Sequence, residues 1–252
     1  MNHFKLTLFG LVIVTALNAQ SQSRFSFGLS SSYLINNRVF TYHKSDSYTD
    51  YRNAKERYKP GFDVTATISY TIKDNLSLET GIGYSDIGYM TKEEMLLDPG
   101  FSPLTAGYIS DLYLFDYKNI FIPAHLEYFT SNRLNFRLSF GPSLIFPISD
   151  KVEHIMRKEF GNSSGQYESN WPNDFQNKQI NISLDLGVGI GFKVTDKINL
   201  ILQPKISYFV LPRENVWARE TLYYLSMFNG QDRSTKENLY SFGVTLKLII
   251  SP

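Results

Sequence analysis

Between Ile180 and Val194 every second residue is apolar: Ile180, Ile182, Leu184, Leu186, Val188, Ile190, Phe192 and Val194. The residues between them are Asn181, Ser183, Asp185, Gly187, Gly189, Gly191 and Lys193. A side-chain period of two belongs to a β-strand with one greasy and one polar face. The glycine triplet inside it is not a phosphate cradle. The third glycine of a G-x-G-x-x-G fingerprint would fall on Phe192, and no Gly-Lys-Ser/Thr ending follows.

The same alternation recurs along the chain. It runs through Phe25–Ile35, Phe62–Ile72, Leu76–Tyr84, Tyr117–Phe129, Leu134–Ile148, Ile198–Val210 and Tyr240–Ile250. With Ile180–Val194 this predicts eight strands. Polar turns such as Lys73-Asp74-Asn75, Thr130-Ser131-Asn132-Arg133 and Thr195-Asp196-Lys197 join strands two to three, four to five and six to seven. The other connections are long and polar: Asn37 to Lys59, Gly88 to Asp116, Ser149 to Asn177 and Pro212 to Lys236. Short turns at one end and long loops at the other define an up-and-down transmembrane β-barrel with short periplasmic turns and four long extracellular loops. Strands of about a dozen residues exceed the roughly 9–11 tilted residues needed to cross a bilayer. Closure satisfies every backbone hydrogen bond where lipid offers none. Within the second loop, Thr91–Leu97 (TKEEMLL) has the composition of a short helix.

A soluble eight-stranded barrel would have the opposite polarity, apolar inside and polar outside. The sequence favours the membrane. Its apolar face is bulky and continuous, and the other face carries Asp63, Glu79, Glu127, Arg137, Asp185, Lys193 and Lys205 among small residues, a poor dry core. Tyr33, Tyr70, Tyr84, Tyr128, Tyr208 and Tyr240 are candidates for interfacial girdles. The N-terminus reads as a cleaved secretory signal over residues 1–19. Lys5 precedes an apolar run ending in small residues, and Gln20-Ser21-Gln22-Ser23 follows. The barrel domain is then residues 20–252.

Composition narrows function. A net charge of +1 argues against nucleic acid, and the absence of cysteine excludes disulfides, thiol catalysis and thiolate metal sites. The four histidines show no zinc-binding spacing, and no cofactor is expected. His125, on the polar face two residues before Glu127, is the residue an outer-membrane lipid hydrolase would need, but it is expected to point inward as a lumen histidine. If the turn pairs Tyr128 directly with Leu134, His125 lies opposite Arg137. Pairing Val194 with Ile198 sets Gly187 opposite Lys205, with Asp185 on the diagonal. The expected lumen network therefore contains Glu127, Arg137, Asp185, Lys205 and His125, filling an interior just wide enough for side chains and closing it as a pore. Binding falls to the loops, where Trp171, Trp217, Tyr223 and Tyr224 supply the aromatics favoured at interfaces.

Three segments carry a resemblance: YKNIFIPAHLEYF (Tyr117–Phe129), RLSFGPSLIF (Arg137–Phe146) and ISLDLGVGIGF (Ile182–Phe192). In order and spacing they resemble the Ile-Pro, Gly-Pro and Asp-containing glycine-rich strands of the PorT-like outer-membrane β-barrel family of Bacteroidetes-type bacteria, related in shape to OmpA and OmpX. The terminal Ser251-Pro252 departs from the aromatic ending common in such barrels. The resemblance implies fold and outer-membrane location and supplies no catalytic residue. The expected protein is a monomeric, non-enzymatic barrel. Its partners are outer-membrane lipid and a protein or glycan at the loops. An accessory part of a secretion or gliding machine and a lipid-modifying enzyme are the alternatives.

Overall fold

The computed structural model describes residues 24–41, 56–91, 94–98, 107–130, 133–160, 163–170, 179–214 and 236–251. The signal segment expected at residues 1–19 and the loop aromatics lie outside these residues. Eight long strands form the wall: β1 (Phe25–Thr41), β2 (Lys59–Lys73), β3 (Leu76–Thr91), β4 (Gly107–Phe129), β5 (Leu134–Phe160), β6 (Asn181–Lys193), β7 (Ile198–Phe209) and β8 (Lys236–Ile250). Each pairs antiparallel with its chain neighbours, and β1 pairs β8 from Phe27 with Ile250 to Thr41 with Lys236, which closes the barrel.

Closure fixes the diameter. Following paired residues once around the wall, Leu34 leads through Gly243, Lys205, Gly187, Ser139, Glu127, Ser77 and Thr71 to Arg24, ten residues along the starting strand. That stagger, with ordinary strand spacings, tilts the strands by about 40° and sets a backbone radius of about 8 Å. Side chains fill such an interior.

The burial pattern shows which face meets lipid. Leu202, Ile190, Phe140 and Leu246 point outward and are 57%, 56%, 56% and 53% exposed, while Asp63, Glu79, Asp185 and Lys247 point inward and are 5% exposed or less. This polarity is the reverse of a soluble barrel's and suits a wall in hydrocarbon. Aromatic pairs frame the band: Phe25 and Tyr70 at the short-turn end (centroids 5.0 Å apart), and Phe62 and Tyr84 further along the same wall (5.9 Å). Tyr70 and Phe62 share β2 eight residues apart, about 20 Å along the axis at this tilt. Beyond them the outward face becomes charged. Asp86 pairs in register with Lys118, and Lys59 contacts Asp116 and lies 3.9 Å from Asp86.

Above this level the wall continues, and here the structure corrects the sequence reading. The expected long loops are built on ladder: β1 runs to Thr41, β3 to Thr91, β4 starts at Gly107 and β5 ends at Phe160. The 27 residues of β5 rise about 65 Å along the axis, more than twice a hydrocarbon core of about 30 Å. Short strands extend this part. Glu94–Asp98 pairs with the start of β4, and Ser163–Asn170 pairs with the end of β5. The helix expected over Thr91–Leu97 is therefore not formed. Thr91 ends β3 and Glu94–Asp98 is a strand, because the ladder offered by β4 outweighs local helix propensity.

Candidate functional site: the filled lumen

The inward faces of the strands build three layers. Nearest the short turns, Lys247 on β8 contacts Glu79 on β3 and lies 2.6 Å from Glu127 Oε1 on β4. Arg137 Nη1 on β5 is 3.5 Å from Glu127 Oε2, so charges alternate across the lumen as Glu79, Lys247, Glu127, Arg137. Ser69 donates to Glu79 (3.0 Å), Arg137 Nε donates to Asn135 (3.0 Å), and the guanidinium lies 4.9 Å from the Phe129 ring centre.

The middle layer has two separate pairs. Lys205 on β7 binds Asp63 on β2 at 3.1 Å, and Ser32 donates to the other Asp63 oxygen (2.7 Å). Across from them, Asp185 on β6 meets His125 Nε2 (3.0 Å) and accepts hydrogen bonds from Ser143 (2.5 Å) and Ser183 (3.2 Å). A cavity of about 40 Å³ separates this layer from the lowest one, and one of about 30 Å³ separates it from the top.

The third layer is an aromatic collar. Tyr89 and Phe115 stack with centroids 4.3 Å apart, and Tyr117 tilts against Tyr89. The Arg38 guanidinium lies 3.8 Å from the Tyr89 ring centre and contacts Glu237, which also accepts from Tyr117 (2.8 Å) and Tyr89 (3.1 Å). Leu34, Ile87, Phe121, Ile145, Phe209 and Leu239 pack with these rings.

The five lumen residues expected from sequence all lie on the inner face, but not as one network. Glu127 and Arg137 share the lowest layer, and His125 joins Asp185 in the middle. Lys205 is opposite Gly187 in register, yet the carboxylate it touches is Asp63. His125 is not opposite Arg137. Arg137 opposes Phe129, and His125 falls between the Leu126–Phe140 and Pro123–Ser143 pairs. The turn is wider than assumed: Thr130 N–H donates to the Phe136 carbonyl (3.1 Å), and the Thr130 hydroxyl accepts from Phe136 N–H (2.9 Å). The glycines of β6 make room for this interior. A Cβ at Gly191 would lie 2.2 Å from Asn135 Oδ1, and one at Gly189 would lie 2.5 Å from the Leu202 carbonyl.

Ser143, His125 and Asp185 have the residue types of an acyl-transfer triad without its arrangement. Both Ser143 (3.4 Å) and Asp185 approach the same imidazole nitrogen, and Ser143 gives its proton directly to Asp185. In a triad the histidine stands between the two, one nitrogen to each. Asp63, Glu79 and Lys247 fall on the polar face by alternation, but their partners stand on strands distant in sequence. Arg38, Tyr89, Phe115 and Glu237 fall within or beside the long connections that the sequence pattern predicts.

Closed antiparallel ladder, apolar exterior and charged interior define an integral β-barrel membrane protein. The profile of the family described as "Outer membrane protein beta-barrel domain" matches residues 18–209. The chain belongs to that family and is an outer-membrane β-barrel. No curated protein matches the sequence. Among solved structures it is similar to Neisserial surface protein A, with 13% identity over 92% of this chain and 99% of that one, at a TM-score of 0.37. It is also similar to OprG from Pseudomonas aeruginosa, with 9% identity over 90% and 99% and a TM-score of 0.38. The outer-membrane protease OmpT from Escherichia coli matches with 7% identity over 92% and 99% and a TM-score of 0.38.

Proposed function

We propose that this protein is a non-enzymatic outer-membrane barrel of the PorT-like type found in Bacteroidetes-type bacteria. It is exported through a cleaved signal peptide and works as a monomer. Its barrel is a rigid post that holds the extracellular loops at a fixed height above the lipid, and the loops bind a protein or glycan partner. The observation that carries this reading is the lumen, bridged at three successive levels by contacts between strands that are not neighbours: Glu127 with Lys247, Asp63 with Lys205, and Tyr117 with Glu237. A filled interior is suited to stiffness and not to transport. The continuation of β4 and β5 beyond the apolar band supports the same reading, since it carries the loop bases away from the bilayer.

Reconstitution into liposomes tests the central claim. Sugar-sized neutral solutes are expected not to permeate, and permeation at porin-like rates would overturn it. Protease treatment of intact cells is expected to cut within the loops and leave the strands whole. Affinity purification from the envelope separates the two binding roles. A ligand captured from outside the cell fits the loop reading. Stable recovery with periplasmic or membrane components of a secretion or gliding machine would assign the accessory role instead.

A further inference from the structure

Below the lowest charged layer the lumen opens, at the short-turn mouth, into a cavity of about 290 Å³. That is close to the lower end of the roughly 300–1,000 Å³ typical of small-molecule pockets. It is more than a gap between turns, because buried polar side chains line it. Asn135, Glu127 and Arg137, at its floor, are 1%, 3% and 8% exposed.

Three polar atoms of residues lining the cavity have no hydrogen-bond partner in the protein: Asn135 Nδ2, Asn199 Oδ1 and Glu127 Oε2. The Asn135 amide is oriented by its neighbour. Its oxygen accepts from Arg137 Nε at 3.0 Å, so the NH2 group is the unused end and is a donor. Glu127 Oε2 is 3.5 Å from Arg137 Nη1, within ion-pair range but without a hydrogen bond. A buried polar group without a partner costs about 1–3 kcal/mol, so these atoms favour an occupant that satisfies them.

Their chemistry selects the occupant. One donor and two acceptors call for a molecule that both accepts and donates. A carboxylate only accepts, and would leave Asn199 Oδ1 and Glu127 Oε2 unmet. An ammonium group only donates, and would leave Asn135 unmet. Net charge offers neither of them an advantage: the lining carboxylates Asp74, Glu127 and Asp196 are matched by Arg137, Lys193 and Lys197. Seven serine and threonine side chains complete a lining rich in groups that donate and accept alike, and Phe129 adds an aromatic surface. We propose that this mouth, periplasmic in barrels of this topology, is a binding site for an uncharged polyhydroxylated molecule of monosaccharide size. This site is independent of whatever the loops bind.

The test is an NMR titration of the folded full chain in lipid nanodiscs, with backbone amides followed. Glucose, N-acetylglucosamine and sorbitol are the probes, with sodium acetate (acceptor only) and ammonium chloride (donor only) as contrasts. At least one probe is expected to give saturable millimolar shifts at Asn135, Arg137 and Thr195, and neither contrast is expected to displace it. Asn135→Leu and Asn199→Leu are each expected to weaken it by about tenfold, the loss of one well-placed polar contact. Asn199 is at the rim, so its variant remains informative if Asn135→Leu does not fold. The proposal is overturned if no probe saturates, if acetate or ammonium competes equally, or if the folded variants bind like the parent chain.

Discussion

The two ends of the lumen are closed by different means. At the short-turn end Lys247 joins two carboxylates across the lumen, and Arg137, on the strand beside Glu127, extends the row. At the long-loop end the Arg38–Glu237 pair is enclosed by Tyr89, Phe115 and Tyr117. The lower layer holds its charges chiefly with other charges, Ser69 and Asn135 adding one hydrogen bond each, and so depends on the cation its carboxylates share. The collar surrounds its charges with hydroxyl donors and aromatic faces, so each group there has a substitute. Redundancy is therefore expected at the top of the lumen and fragility at the bottom.

The largest effect should follow loss of the shared cation. Lys247→Met leaves Glu79 and Glu127 facing each other without their common partner. Breaking a buried pair by removing one side costs about 3–5 kcal/mol. Urea unfolding in lipid vesicles, followed by circular dichroism, measures it. Adding Glu79→Gln and Glu127→Gln to the same chain should restore most of the loss, since the penalty comes from uncompensated charge. No recovery in the triple variant would mean that Lys247 matters mainly by filling space.

The wall of the barrel is written in the sequence pattern, and the contacts across its lumen are not. The faces of Ile180–Val194 and its sister segments were legible because lipid on one side and charge on the other force a period of two. The partners across the lumen were not legible. Asp63 meets Lys205 from β2 to β7, and Glu127 meets Lys247 from β4 to β8, pairings set by closure and stagger and not by nearness in sequence. Even the near pairing of His125 with Arg137 failed, because one turn was wider than its composition suggested. The collar was missed for a different reason. Above the bilayer the outer face no longer has to be apolar, so Asp86, Asp116 and Lys118 break the alternation while the ladder continues. Tyr89 and Phe115 then look like loop residues, although both are fully buried.

Arg38→Met is the matching experiment at the collar. Glu237 loses its cation but keeps hydrogen bonds from Tyr117 and Tyr89. The expected loss is about 3 kcal/mol, the lower end of the range for a broken buried pair. A loss equal to or above that of Lys247→Met would remove the distinction between the two closures. Between the two layers, Ser143→Ala removes the 2.5 Å hydrogen bond to Asp185. The expected loss is about 2 kcal/mol, as for hydrogen bonds to charged groups. It also separates a structural serine from a nucleophile. Covalent labelling by a serine-directed phosphonate is expected to be absent in the parent chain, and labelling at Ser143 would reopen the enzymatic reading.

The smallest change tests redundancy most directly. Tyr89→Phe removes one hydroxyl that accepts from Arg38 at 2.5 Å and donates to Glu237 at 3.1 Å, and it leaves the stack on Phe115 intact. Arg38 and Glu237 still contact each other, and Tyr117 still donates to the carboxylate. The cost should therefore stay at the lower end for a hydrogen bond to a charged group, about 1.5 kcal/mol. Combining it with Tyr117→Phe should cost more than the two single changes together, because Glu237 then loses both of these hydroxyl donors at once. A double-mutant cycle reads that coupling. Strict additivity would show that the hydroxyls act one by one, and the collar would then be no more redundant than the charged row beneath it.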